Sequence, residues 1–191
     1  MDVIRDEAEL WRRARADDGA AFAALFDMHH ARVYGRALAL MGTAHGADDV
    51  AAATFFELWR KRHSVQLVSG SVRPWLLVTT LNISRNARRG TPRYRQLLRD
   101  LPHPEAVPGP DVERTEASRR LAASLGALAP VDAALFVLTV LEDLPVTDAA
   151  QTLGLKPATA RVRLHRARVR LRVELQDLNP ASRVAVEGSP L

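Results

Sequence analysis

Arginine dominates the chemistry open to this chain. Of its 27 basic residues only Lys61 and Lys156 are lysines. The guanidinium fork makes paired hydrogen bonds to phosphate and to the guanine edge. Where the charges lie says more than the net value of +5. From Arg73 to Arg99 there are seven arginines (73, 85, 88, 89, 93, 95 and 99) and no acid. From Lys156 to Arg172 there are seven basic residues (156, 161, 163, 166, 168, 170 and 172), again with no acid. Between the blocks, Asp100 to Glu116 holds five acids against Arg114 alone. A solvated helix usually alternates signs and gains i,i+4 pairs. Two acid-free blocks flanking an acidic bridge therefore imply two nucleic-acid contacts on one chain.

Other chemistries find little support. There is no cysteine, so disulfides, thiolate metal sites and cysteine nucleophiles are excluded, as suits a reducing cytosol. The six histidines (29, 30, 45, 63, 103 and 165) form no two-His-plus-carboxylate pattern at helical spacing, so no metal site is expected. The glycine-bearing stretch GTAHGADD lacks the Lys-Ser/Thr of a phosphate loop. No enzyme activity and no cofactor are expected. Acids at Asp2, Asp6, Glu7 and Glu9 are followed by no apolar run of signal-peptide type. The longest apolar stretch, 133–141, is too short to span a bilayer. A cytoplasmic protein without membrane insertion is the expectation.

The elements that must hold the arginines read as helices throughout. Asp17 or Asp18 can cap a helix from about Ala20, with Phe22, Leu25, Phe26, Val33, Leu38 and Met41 as its apolar stripe and Gly42 as its stop. A second helix is predicted over 47–62, where Asp48 and Asp49 complement its dipole. A turn at 68–71 precedes a third helix that carries Pro74 early and extends to about Arg89. Five prolines and a glycine between Gly90 and Val112 predict a linker, with a short helix at 94–98. Helical signals resume with Leu121, Leu125 and Leu128, a stripe that Pro130 ends. A largely buried helix over 132–141 and two more over 145–153 and 157–175 follow. The tail from Asn179 is expected to be disordered.

The segment from Leu144 to Arg172 has the parts of a helix-turn-helix. Ala150 is small where two helices approach, Gly154 suits a left-handed turn, and Pro157 suits a helix first turn. At 100° per residue Ala160, Leu164, Ala167 and Leu171 face the core, while Arg161, Val162, His165 and Arg166 face away. A cationic strip near a helix start is what entry into the major groove needs. The bland alternative is a solvated basic helix at the end of a bundle, which the lack of interleaved acid opposes. In the first block, Asn82, Arg85, Arg88 and Arg89 can offer donors to phosphates and unstacked bases. Trp75, flanked by Leu76 and Leu77, reads as core more than as a base contact.

These segments resemble sigma factors of the extracytoplasmic-function (ECF) type in the sigma-70 family. LPVTDAAQTLGLKPATARVRLHRARVRLR is similar to the family's fourth region, with matches at Leu144, Ala150, Leu153, Gly154, Thr159, Arg163 to Arg168, Leu171 and Arg172. ADDVAAATFFELWRKR resembles the helix that binds the polymerase clamp, and VRPWLLVTTLNISRNARR the helix after it. Two departures stand out: Ala52 and Ala53 replace the usual Gln and Glu, and Val162 and Ala160 replace the usual Ser and Val.

The resemblance implies an all-α protein with two small helical domains. Residues 1–90 would bind core polymerase and the minus-ten element, 91–113 would be the linker, 114–178 would read the minus-thirty-five element, and 179–191 would be tail. It implies core-polymerase contacts at Asp49, Phe55, Trp59 and Arg60. DNA contacts are implied at Thr159, Arg161, Val162, Arg163, His165, Arg166 and Arg168, and at Asn82, Arg85, Arg88 and Arg89. The partners implied are bacterial core RNA polymerase, promoter DNA and an anti-sigma factor. Two rivals remain at this point: a stand-alone helix-turn-helix regulator, and a degenerate homologue that occupies polymerase without starting transcription.

Overall fold

The computed structural model describes residues 2–90 and 115–176; the expected linker, the 94–98 helix and the tail lie outside them. Among the described residues the chain is helical, with no strand and a single isolated bridge, Val68 to Ser71, at the expected turn. Eight α-helices follow in order: α1 Asp2–Arg15, α2 Gly19–Met41, α3 Ala44–Arg60, α4 Arg73–Arg88, α5 Glu116–Ala127, α6 Pro130–Phe136, α7 Val146–Thr152 and α8 Pro157–Glu174.

Local chemistry sets most of the boundaries. Asp18 caps α2, its carboxylate accepting the Ala21 N–H at 3.0 Å. Helix α3 begins three residues before the expected Ala47, because Thr43 is its cap. The Thr43 hydroxyl accepts the Gly46 N–H at 3.2 Å. A Cβ on Gly46 would stand 2.9 Å from that hydroxyl oxygen, so the cap needs glycine there. Pro130 opens α6, the preceding helix having already ended at Ala127. Helix α6 does not run straight to Leu141 as periodicity predicts; it widens into a π-helical turn over Val137–Leu141. There the Thr139 hydroxyl donates to the Leu135 carbonyl at 2.7 Å, and the Leu144 N–H reaches back to Leu138 O at 2.9 Å.

Helix α1 has no counterpart in the sequence reading. It places Trp11 and Ala14 in a core with Leu25, Val33, Phe55, Leu58, Val72 and Leu76. Glu7, in the same helix, is buried. Its Oε1 takes hydrogen bonds from the Val72 N–H at 2.8 Å and the Ser71 hydroxyl at 2.9 Å, and lies 2.9 Å from His29 Nε2. Burial alone would raise the carboxyl pKa, but these bonds, led by His29, outweigh it and hold the group below its ordinary 4.5. A depressed folded pKa gives stability that is present above pH 4.5 and is lost as pH falls through the folded value. Glu7→Gln should therefore lower stability at pH 7 by about 1–3 kcal/mol. The gap between variant and parent should shrink below pH 4.5, as thermal unfolding at both pH values would show.

The second half packs on the first. One core cluster joins Leu40 of α2 and Leu81 of α4 to Leu125, Ala133, Val137 and Leu171. Another joins Leu77 to Leu135, Leu138, Ala149, Ala160 and Leu164. Trp75 is half-buried against the first core, in keeping with a packing role.

Candidate nucleic-acid interface

Helix α8 is delivered by a turn whose hydrogen bonds satisfy the end of α7. The Gly154 N–H donates to Gln151 O at 3.1 Å and the Leu155 N–H to Ala150 O at 2.8 Å, with Gly154 at φ 64. This Schellman arrangement needs a left-handed residue, and glycine adopts it without the penalty of a Cβ. Ala160, Leu164, Ala167 and Leu171 are buried, so the inward face is the one the spacing predicts. Thr159, Arg161, Val162, His165, Arg166 and Arg168 are exposed. Among the described residues, none of the three exposed arginines has a protein partner. Val162 is 52% exposed, an apolar side chain set among cations. Arg163 is different: half-buried, it donates Nε–H to Asp132 of α6 at 2.7 Å. That bond ties α8 to α6 and takes Arg163 off the free surface.

The first basic block divides in the same way. Asn82, Arg88 and Arg89 are exposed on α4, whereas Arg85 is buried. The Arg85 guanidinium donates to Leu125 O and Leu128 O, both at 2.8 Å, and Arg88 Nη1 donates to Ala122 O at 3.1 Å. Burial, and after it the charge of Arg89, lowers the Arg85 pKa. A cavity of about 400 Å³ separates α4 from α5 here, with Ser84, Arg85, Arg88 and Arg89 in its wall. In the arrangement described, Arg85 faces protein and not solvent.

On α3, Phe55 also differs from expectation. It lies in the first core, 4.6 Å ring to ring from Phe26, and is closed to any partner. Phe56, one residue on, is the half-buried aromatic. At 100° per residue it falls within about 20° of Asp49 and about 40° of Arg60 around the helix, and exposed Ala52 shares that side. Ala53 is buried, so of the two alanine departures only Ala52 alters the surface. Asp49 is 3.7 Å from His45 Nε2. Trp59 packs edge-on against Phe22 with the Arg62 guanidinium 4.2 Å over its ring. Arg60 pairs with Glu57, whose carboxyl burial would raise but Lys61 and Arg60 lower below its ordinary value.

A sigma-70 region 2 family model matches residues 25–94, over α2 to α4, and a sigma-70 region 4 model matches residues 118–171, over α5 to α8. The RNA polymerase sigma factor NccH of Alcaligenes xylosoxydans xylosoxydans is 32% identical over 194 residues, covering 92% of this chain and 97% of NccH. This chain belongs to the sigma-70 family and is an ECF sigma factor. The ECF RNA polymerase sigma factor SigE of Mycolicibacterium smegmatis is 33% identical over 153 residues, 78% of this sigma factor but only 59% of SigE. In fold it is similar to CnrH solved in complex with the cytosolic domain of CnrY, with a TM-score of 0.61, 24% identity, and coverage of 90% of this chain and 98% of that one.

A buried ion-pair cluster is absent from the sequence-based expectations. Arg32 and Arg36 of α2 both bond Glu142, whose side chain is fully buried: Arg32 Nε at 2.6 Å, Arg36 Nε at 3.1 Å and Arg36 Nη2 closer still. The adjacent acids Glu142 and Asp143 closing the apolar run at 133–141 are the available signal, but nothing local names the partners of Glu142, 106 and 110 residues away. Among the described residues no group of His, Asp and Glu could hold a metal, and no helix is long and apolar enough to cross a membrane.

Proposed function

We propose that this sigma factor joins core RNA polymerase through the α3 side bearing Asp49, Ala52, Phe56, Trp59 and Arg60, and reads the promoter with two separate helices. Helix α8 enters the major groove at the minus-thirty-five element, presenting Arg161, Val162, His165 and Arg166. Asn82, Arg88 and Arg89 on α4, joined by Arg85 once it is freed, hold the opened minus-ten strand. The observation that carries this reading is the exposed face of α8, where Arg161 near the helix start and Arg166 and Arg168 further along have no protein partner among the described residues. Such a face supplies phosphate contacts and a guanine-reading fork together. The polymerase supplies the catalysis, the sigma factor no chemistry of its own, and the site of action is the cytoplasm.

An anti-sigma factor is a further partner in this proposal. The similar-fold protein RpoE of Bartonella quintana was solved in complex with the anti-sigma factor NepR; it has a TM-score of 0.53 and 20% identity. The domain division at 1–90, 91–113, 114–178 and 179–191 is also carried here as a proposal, and the acidic linker is assigned to the path toward the polymerase active centre.

Run-off transcription with bacterial core polymerase and a promoter library tests the reading. Promoter-specific transcripts that need both proteins are expected. Tight binding to a palindromic duplex by the chain alone would point to a stand-alone regulator. Assembly with core that never yields a transcript would point to a degenerate homologue.

A further inference from the structure

Helix α1 borders a groove that none of the polymerase or promoter contacts uses. Ala8, Trp11, Arg12 and Arg15 recur at helical spacing and line it from one side of α1. The facing wall is the segment 65–67, part of the connection between α3 and α4. The groove measures about 390 Å³, a size that suits a small molecule.

Hydrogen-bond donors without acceptors gather along it. Trp11 is only 3% exposed, and its buried indole N–H has no partner among the described residues. Nearly all buried donors in folded proteins are paired. An indole can only donate, so the partner it fits is an acceptor. In the facing segment the Val65 N–H donates to Lys61 O at 3.1 Å. The N–H groups of Gln66 and Leu67 have no partner among the described residues.

The charge has the same sense. Glu9 engages the Arg12 guanidinium, which leaves Arg15 as the cation open to a ligand. Arg15 Nη2 donates to the His63 carbonyl at 3.3 Å, and among the described residues Arg15 has no carboxylate partner. No carboxylate stands among the described lining residues. The rest of the wall is apolar, with Ala8 and Leu67 half-buried and Val65 buried. Two open N–H groups in a row are too few for an added peptide strand, which draws its affinity from a longer edge. Donors on one cation beside an apolar wall suit a compact amphiphile instead.

We propose that this groove binds a small organic anion, a carboxylate or phosphate carried on a compact apolar body. The anionic head takes Arg15 and the Gln66 and Leu67 N–H groups, and the body rests on Ala8, Val65 and Leu67. The Trp11 indole donates to a further acceptor of the ligand. A bound anion ties α1 to the connection between α3 and α4, so it stabilises the folded chain by mass action.

Titration calorimetry of the full chain with phenyl phosphate and with phenylacetate distinguishes the two head groups. At least one should bind with a dissociation constant below about 1 mM, raise the melting temperature and weaken with added salt. Inorganic phosphate and benzyl alcohol, which carry the head or the body alone, should each bind roughly tenfold more weakly or less well still. Arg15→Gln, at an exposed position, should weaken binding roughly tenfold and flatten its salt dependence. Ala8→Phe should fill the groove and abolish binding. The indole N–H is read directly in proton–nitrogen correlation spectra, where the three tryptophans give three signals. Trp11→Phe identifies the Trp11 signal, or Trp59→Phe and Trp75→Phe do so by elimination should that variant fold poorly. On titration the Trp11 signal should move downfield, as a newly made hydrogen bond requires, while the other two stay in place. Binding by neither aryl anion would overturn the proposal. So would binding that leaves the Trp11 signal unmoved, or that survives both Arg15→Gln and Ala8→Phe. Inorganic phosphate binding as tightly as phenyl phosphate would reduce the groove to a charged surface and overturn it too.

Discussion

Replacing Arg161 with alanine should erase preference at one base pair of the minus-thirty-five element while leaving binding to other variants of the element nearly unchanged. Arg161 is exposed in the first turns of α8 and has no protein partner among the described residues, so its fork is free for the guanine O6 and N7. Such a contact contributes roughly 1–3 kcal/mol of discrimination, or about 5- to 150-fold. Arg168, two turns further along, is exposed and has no protein partner among the described residues, but stands away from the helix start. Its loss should weaken all sequences alike and reduce the slope of log K against log salt by about one unit. Val162 sits between these behaviours: it can pack on a thymine methyl but gives no hydrogen bond, so Val162→Ser should shift preference more than total affinity. The measurement is a binding or transcription series over every single-base variant of the element, at two salt concentrations. If Arg161→Ala lowers every sequence equally and Arg168→Ala changes the preferred base, the orientation of α8 in the groove is wrong.

The prediction has this resolution because the relevant helix was legible in the sequence. The apolar series Ala160, Leu164, Ala167 and Leu171 has one period and one solution, and those four are buried. Gly154 and Pro157 fix where α7 ends and α8 begins through backbone chemistry that acts within a few residues. Legibility fails where the deciding contact is long-range. Arg85 and Arg163 read as free cations because their neighbours in sequence are no acids, yet each meets an acceptor on another helix, 31 to 43 residues away. Adjacent phenylalanines at 55 and 56 are equally apolar, and a wide apolar face leaves the inward one undetermined. The π-helical turn hides for a related reason. Periodicity at 100° per residue assumes an unbroken ladder, and the turn over Val137–Leu141 breaks it while keeping every side chain but Thr139 apolar. That turn sets the exit of the chain toward Glu142, so the missed irregularity and the missed ion-pair cluster are one structural event.

Asp49→Arg should weaken association with core polymerase at least tenfold, a loss of about 1.4 kcal/mol or more, with helical content unchanged. The argument runs through what the rest of α3 offers. Ala51, Ala53, Thr54, Phe55, Glu57 and Leu58 are buried and serve the fold. His45, Asp48, Asp49, Ala52, Phe56, Trp59 and Arg60 remain accessible, and of these Asp49, Phe56 and Arg60 lie within about 40° of one another around the helix, with Asp49 the acid among those three. The His45 ring stands 3.7 Å away on a side chain 76% exposed, and is therefore a weak competitor for an incoming cation. Reversing the charge sets like against like across a complementary interface, which lowers the association rate and the affinity together. Phe56→Ala should weaken the same association without unfolding the chain. Phe55→Ala should instead lower stability by about 3–5 kcal/mol, because it opens a cavity beside Phe26 and Leu58. Circular dichroism melting and titration against labelled core polymerase separate the two effects. Core affinity that survives both Asp49→Arg and Phe56→Ala would remove α3 from the clamp interface, and a stable Phe55→Ala variant with lost affinity would return that residue to it.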